Sequence, residues 1–320
     1  MEGDRKMKKS LFHGALRFDK RRGYLIPYRF TEAQAASVSY SELFAERTLC
    51  DASITIELST EATEVSFGYK FFKRTGVRST FEVYTDGFLT HLVGDDTLAD
   101  EGVLSFSFGA GEKQIEIYLP NYSEVGVKAL SENAAYRAVP KRKTKVLFIG
   151  DSITQGGGSK RSAQTYVNVA KRALGWEIVN QGIGGYVFEK NLLTEIPFSP
   201  DKIVVSLGTN HHGYDEQENR ARITEFFEAL HQRYGDKKTL VILPVYCGNP
   251  NIENKPEKYK RIKEIIVEIA SRYPNVQFVS AYEMVPHLAD YYMEDMVHPN
   301  ALGMELYGQN LAKAIKKIKF

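Results

Sequence analysis

The stretch KVLFIGDSITQG, residues 145–156, decides the fold. Its opening run of Val, Leu, Phe and Ile does not alternate with polar residues, as expected of a strand buried on both faces. The run stops at Gly150, and a short polar turn follows at once. Four more runs of this kind lie downstream: EIVNQGI (177–183), KIVVSLG (202–208), TLVILPVY (239–246) and VQFVSAY (276–282). Helical stretches are expected near 162–174, 217–234 and 257–272, with a last helix over 300–318. Buried strands alternating with helices predict an α/β unit with a parallel five-stranded sheet covered on both faces.

Upstream the rhythm is different. Segments ASITIELS (52–59), EVSFGYKFF (64–72), STFEVYT (79–85), FLTHLVG (88–94), VLSFSFG (103–109) and KQIEIYLP (113–120) alternate and are rich in β-branched and aromatic residues. Asp86-Gly87 between two of them is a strong hairpin signal. Close-spaced short strands, with no amphipathic helix evident among them, predict an all-β, jelly-roll-like sandwich. The change of period falls in the basic segment 138–144. Residues 1–138 are therefore expected to form the sandwich domain and 145–320 the α/β domain.

The bulk numbers narrow the function. The 320 residues suffice for one large domain or two medium ones, and a net charge of +2 is close to neutral for that length. Neither nucleic acid nor a membrane is expected as a partner, and KRKTK (141–145) and KAIKKIK (313–319) read as a linker and a solvated helix face. Two dissimilar cysteines, Cys50 and Cys247, are too few for a disulfide framework or a thiolate metal site. The opening MEGDRKMKKS has no apolar run of a secretory leader, so a cytoplasmic location is expected.

Open α/β sheets bind ligands beyond the carboxyl ends of their strands. Gly150-Asp151-Ser152 follows the first parallel strand, and Asn180-Gln181-Gly182-Ile183-Gly184-Gly185 spans the end of the second. Gly208-Thr209-Asn210-His211-His212 follows the third, and Asp295-Met296-Val297-His298 lies beyond the fifth. A hydroxyl, glycine-flanked amides, a carboxamide and an imidazole with a carboxylate are the parts acyl transfer needs. A free serine hydroxyl is a poor nucleophile and needs an adjacent base. His298 can take the Ser152 proton and return it to the leaving alcohol, while Asp295 holds the other ring nitrogen. The Ser152 and Gly185 N–H groups and the Asn210 amide can meet the oxyanion. With strands ordered 2-1-3-4-5, the fifth lies about 14 Å from the first, and residues 283–298 can span roughly 50 Å.

These blocks resemble the SGNH (GDSL-type) hydrolases, named for a Ser, Gly, Asn and His in four blocks. The resemblance covers about 145–320. It implies a flavodoxin-like sheet, a Ser152–His298–Asp295 triad, an oxyanion hole of Ser152, Gly185 and Asn210, and no cofactor. The upstream sandwich, with KQIEIYLPNYSEVGVKAL (113–130), resembles the N-terminal domain of two-domain members that include carbohydrate esterases. Many members carry Asp directly after the third-block Asn, where this chain has His211.

Several residues read more plainly. Asp151 is expected to hold the turn, and Asp295 is preferred to Asp290 and Glu294 as the orienting acid for its three-residue spacing. His211 and His212 are adjacent, hence divergent, and no metal site is expected there. Tyr186, Phe188, His211, Tyr214 and Tyr246 follow strand ends and are candidates to line a substrate cleft, whereas Trp176 is expected to pack at the opposite edge. The expected activity is hydrolysis of a small acyl ester, best an acetylated saccharide. The alternatives are a lipid- or thioester-directed acyl hydrolase and a carbohydrate-binding protein without activity.

Overall fold

Residues 12–138 build two antiparallel sheets. One runs Phe12–His13, Thr55–Thr60, Lys113–Tyr118, Thr80–Thr85, Phe88–Gly94, with Tyr136–Ala138 also paired to Thr55–Thr60. The other runs Arg17–Arg21, Tyr24–Tyr28, Ser123–Glu132, Glu64–Arg74, Glu101–Ser107. Alternation decides which face is buried: Ile115 and Ile117 point inward to meet Phe67, Val125 and Val127 of the facing sheet. Asp86 and Gly87 form the two-residue turn between Thr85 and Phe88, both with positive φ (50° and 85°), as a type I′ hairpin requires. The structure is a computed structural model describing residues 6–76, 79–249, 251–253 and 255–320; residues 1–5 of the charged N-terminal stretch lie outside it.

The expectation of a helix-free first part fails between Tyr28 and Thr55. Helix α1 (Glu32–Ser37) starts in a capping box, in which Thr31 accepts from the Gln34 N–H and the Gln34 side chain accepts from the Thr31 N–H. Helix α2 (Glu42–Thr48) is capped by Ser41. Both are too short to show a helical period in sequence, although Thr-x-x-Gln is a legible start signal.

The parallel sheet consists of Thr144–Gly150, Trp176–Gly182, Lys202–Ser206, Lys238–Leu243 and Val276–Ser280, in the order second, first, third, fourth, fifth. Gly150 pairs with Gly182 on one side and Ser206 on the other, so these three strands end level and their loops leave one edge together. After the first strand comes the short α3 (Ser152–Gln155). Helices α4 (Tyr166–Leu174) and α7 (Ala301–Lys317) pack on one face, α5 (Glu216–Tyr234) and α6 (Lys255–Ala270) on the other. Trp176 starts the second strand at the far end from these loops, packed against Phe148 and Phe320. The basic segment before the first strand is not a solvated linker: Arg142 pairs with Glu57 at 3.0 Å and Lys141 with Glu177 at 3.6 Å.

Candidate active site

Ser152 is presented by a tight strand-to-helix turn. Asp151 caps α3, its Oδ1 accepting the Ile153 N–H at 3.0 Å. The carboxyl is buried, and burial pushes its pKa up to about 6. It thus holds the turn, as its place in the sequence suggested. α3 can lie on the second strand because residue 182 is glycine: a Cβ there would stand 2.4 Å from the Gln155 nitrogen.

His298 arrives from the long connection after the fifth strand. That connection is shaped by a backbone bond from Met293 N to His298 O (2.8 Å) and by pairing of Tyr292 with Pro299. The Asp295–His298 turn passes through Met296 at φ +52°. Asp295 Oδ1 accepts the Val297 and His298 N–H groups, and its Oδ2 lies 2.6 Å from His298 Nδ1. Burial alone would push this carboxyl up, but those N–H groups and the imidazole outweigh it and hold the pKa below the ordinary value. An ionised carboxylate can only accept, so Nδ1 carries the proton and Nε2 is left with its lone pair. Nε2 lies 2.7 Å from Ser152 Oγ, which therefore donates to it. Ser152, His298 and Asp295 form one hydrogen-bonded chain in which the serine proton already points at a base.

The second side of Ser152 is the turn after the second strand. Gly185 adopts φ +83°, which aims its N–H where an L side chain would be strained. The Asn210 amide donates to Tyr186 O at 2.9 Å and keeps its second hydrogen. Among the described residues, no acceptor pairs with the Ser152 or Gly185 N–H. Gly184 N–H donates to Gln155 Oε1 at 2.8 Å, which ties the turn to α3. A residue with no sequence signal completes this side. Arg29, fully buried, donates to Asn180 O and Gly182 O at 2.7 Å each, and to Cys50 O and Arg47 O at 2.8 Å each. One guanidinium thereby clamps the C-terminal end of α2 to the root of the glycine turn.

Three of the expected cleft-lining residues are core instead. Tyr186 and Phe188 are 0% and 1% exposed and pack with Phe226, Phe227 and Ile223 under the sheet, because the turn at Gly185 folds the following chain inward. His211, 0% exposed, accepts the Phe188 N–H at Nε2 (2.9 Å) and stands 2.6 Å from Asn219 Oδ1 at Nδ1. Burial pushes its pKa down to about 4, so it is a neutral brace between the second- and third-strand loops. That is what the His in place of Asp achieves. Tyr214 is half-buried under the Arg222 guanidinium. Tyr246 stacks on His287 at 4.1 Å and lines a cavity of about 460 Å³ with Val245, Cys247, Tyr259, Lys263 and Tyr282, on the fourth- and fifth-strand side.

This is the architecture of an α/β ester hydrolase with an N-terminal sandwich. Residues 148–306 match the sequence model of the GDSL-like lipase/acylhydrolase family, and through them the chain belongs to that family and is a carboxylic ester hydrolase. Similar solved structures span almost the whole chain. A salicylyl-acyltransferase from a tetracycline biosynthetic pathway superposes with a TM-score of 0.80 at 19% identity, over 99% of this chain and 98% of that one. A candidate GDSL-like lipase from Bacteroides ovatus gives 0.80 at 21% identity, over 97% and 95%. A family two carbohydrate esterase from Clostridium thermocellum, in complex with cellohexaose, gives 0.69 at 16% identity, over 96% and 99%. No curated protein matches the sequence.

Proposed function

We propose that the protein hydrolyses small acyl esters, acetyl esters of saccharides foremost, through an acyl-enzyme on Ser152. The observation that carries this reading is the chain Ser152 Oγ–His298 Nε2 (2.7 Å) and His298 Nδ1–Asp295 Oδ2 (2.6 Å). As Oγ attacks the ester carbon, its proton passes to Nε2, and the Asp295 carboxylate stabilises the imidazolium that forms. The carbonyl oxygen becomes an oxyanion facing the Ser152 and Gly185 N–H groups and the free hydrogen of the Asn210 amide. Collapse of this intermediate breaks the ester C–O bond, and the alcohol leaves with the proton from Nε2. Water then attacks the acyl-enzyme by the same route in reverse and releases the acid. A saccharide as the alcohol part is supported by the fold shared with the Clostridium thermocellum carbohydrate esterase.

One observation favours a second reading, a lipid-type ester: the largely apolar cavity of about 460 Å³ beside Tyr246. The test that separates the two is turnover of p-nitrophenyl acetate, butyrate and octanoate by the wild type and by Ser152→Ala. Acetate is expected to be turned over with the highest kcat/KM, and Ser152→Ala to be inactive on all three. Octanoate as the best substrate would replace the acetyl reading by the lipid one. Full activity in Ser152→Ala would remove both.

A further inference from the structure

The Ser152 cleft has a wall that does not come from the parallel sheet. Built on Gly185, a Cβ would lie 3.4 Å from Leu43 Cδ2 and 3.5 Å from Phe44 Cε1, which is ordinary contact distance. Both side chains belong to α2, more than a hundred residues upstream of the turn they touch. Phe44 is wedged edge-on against Tyr186, with ring centres 5.4 Å apart, and Tyr40 meets its other side at 6.0 Å. Leu43 is different: it meets the turn yet remains 45% exposed, an apolar side chain left open beside Gly185. The element is anchored rather than loose. Ser41 caps its start, the Arg47 side chain donates to Thr75 O at 3.0 Å, and Arg29 grips its last carbonyls.

We infer that Leu43, backed by Phe44, closes the acyl side of the substrate cleft and sets the length of acyl group accepted. The inference rests on Ser152 acting as the nucleophile, as proposed above. The tetrahedral carbon has four substituents, and three of their directions are taken. Ser152 Oγ occupies one, and the oxyanion faces Gly185 N–H and Asn210. The leaving oxygen must face His298 Nε2, from which it takes its proton. The acyl chain is left with the fourth direction, away from His298 and past the face of the Gly185 turn that α2 covers. An acetyl methyl fits beneath a leucine there and covers its exposed face. A longer chain meets the Leu43 side chain and must displace either it or the near-attack geometry.

The experiment compares kcat/KM for p-nitrophenyl acetate, butyrate and octanoate in the full chain and in Leu43→Ala and Leu43→Trp. Because Leu43 is nearly half exposed, its truncation removes little from the core, and thermal melts check that both variants stay folded. Leu43→Ala is expected to raise the butyrate-to-acetate ratio about tenfold, in line with burial of two further methylenes. Leu43→Trp is expected to lower the same ratio below that of the wild type. A ratio unmoved by both substitutions overturns the inference. So does a change confined to alcohol preference, measured with a series of acetate esters, while the acyl profile stays fixed. Turnover that survives Ser152→Ala would instead fault the underlying esterase reading, whatever the Leu43 variants do.

Discussion

Two clusters of charge hold this molecule together at opposite ends of the parallel sheet, and they are built on opposite terms. At the loop end stands the single pair of Asp295 and His298, whose side chains are 43% and 26% exposed. At the other end a buried network joins the sandwich to the α/β unit. There Lys171 of α4, 1% exposed, meets Glu57 at 3.1 Å and Glu116 at 2.6 Å, both from the sandwich. Arg142 pairs with Glu57 at 3.0 Å, and His13 with Glu177 at 2.8 Å. Contact distances are alike in the two places, and burial is not. A half-exposed pair has little to lose by way of stability, and its imidazole stays within reach of a substrate. A buried network is costly to break, because each orphaned charge stays out of water. The first arrangement suits proton transfer and the second suits a fixed joint.

That contrast predicts activity without stability at one end and stability without activity at the other. The largest effect is expected from Ser152→Ala and His298→Ala. Each should lower kcat for p-nitrophenyl acetate on the order of 10⁴- to 10⁶-fold with the melting temperature nearly unchanged. Next comes Lys171→Met, which removes the buried ammonium between Glu57 and Glu116, leaves Arg142 as the cation for both, and should lower stability by about 3–5 kcal/mol in urea titrations. Its kcat, measured well below the melting temperature, should stay near that of the wild type. Loss of kcat without loss of stability in Lys171→Met would break the division of labour between the two clusters.

Legibility in the sequence follows the same geometry. Ser152, Gly185 and Asn210 were readable as candidates because each sits just past a strand, where topology alone brings loops together, and His298 because Asp295 stands three residues before it in the connection that follows the fifth strand. The parallel strands were readable for their unbroken apolar runs. Arg29, Leu43 and Phe44 were not, because what they do depends on contacts with residues more than a hundred positions away, and no periodicity marks them. Thr31 and Gln34 did announce a helix start, but two helices of six and seven residues leave no repeat to find. Tyr186 and Phe188 were misplaced for a local reason. Position after a strand end does not say which way a chain turns, and the positive φ of Gly185 turns it into the core.

Acid separates the two ends by sign. Glu57 and Glu177 are buried, which alone would raise their pKa values. Lys171, His13 and Arg142 around Glu57, and His13 and Lys141 around Glu177, outweigh burial and depress both. A depressed carboxylate adds stability that is present above the unfolded value of about 4.3 and is lost as pH falls through the folded one. Asp151 behaves oppositely. Its folded pKa of about 6 lies above the ordinary value of 3.8, so the folded state binds its proton more tightly and stability rises as pH falls from 7 toward 4. The difference corresponds to up to about 3 kcal/mol. Asp151→Asn, which keeps a capping oxygen, should flatten the slope between pH 4 and 7 and leave the loss below pH 4 in place. An unchanged slope there would show that the folded state does not raise the Asp151 pKa above the ordinary carboxylate range.

The smallest change in stability is expected from Asp295→Asn, and it is the sharpest test of the comparison. The side chain is 43% exposed, and an asparagine Oδ1 can still accept the Val297 and His298 N–H groups that shape the turn. Unfolding free energy should therefore move by less than about 1 kcal/mol, against several for Lys171→Met. The chemistry should not be spared. An amide Nδ2–H facing His298 Nδ1 makes that nitrogen an acceptor, so the ring proton moves to Nε2, where it can no longer receive the one from Ser152. The kcat for p-nitrophenyl acetate should fall by roughly two to four orders of magnitude, short of Ser152→Ala because nucleophile and oxyanion donors remain. A large loss of stability with kcat retained would make Asp295 and His298 a structural pair like that of Lys171 and Glu57, and the contrast between the two ends of the sheet would disappear.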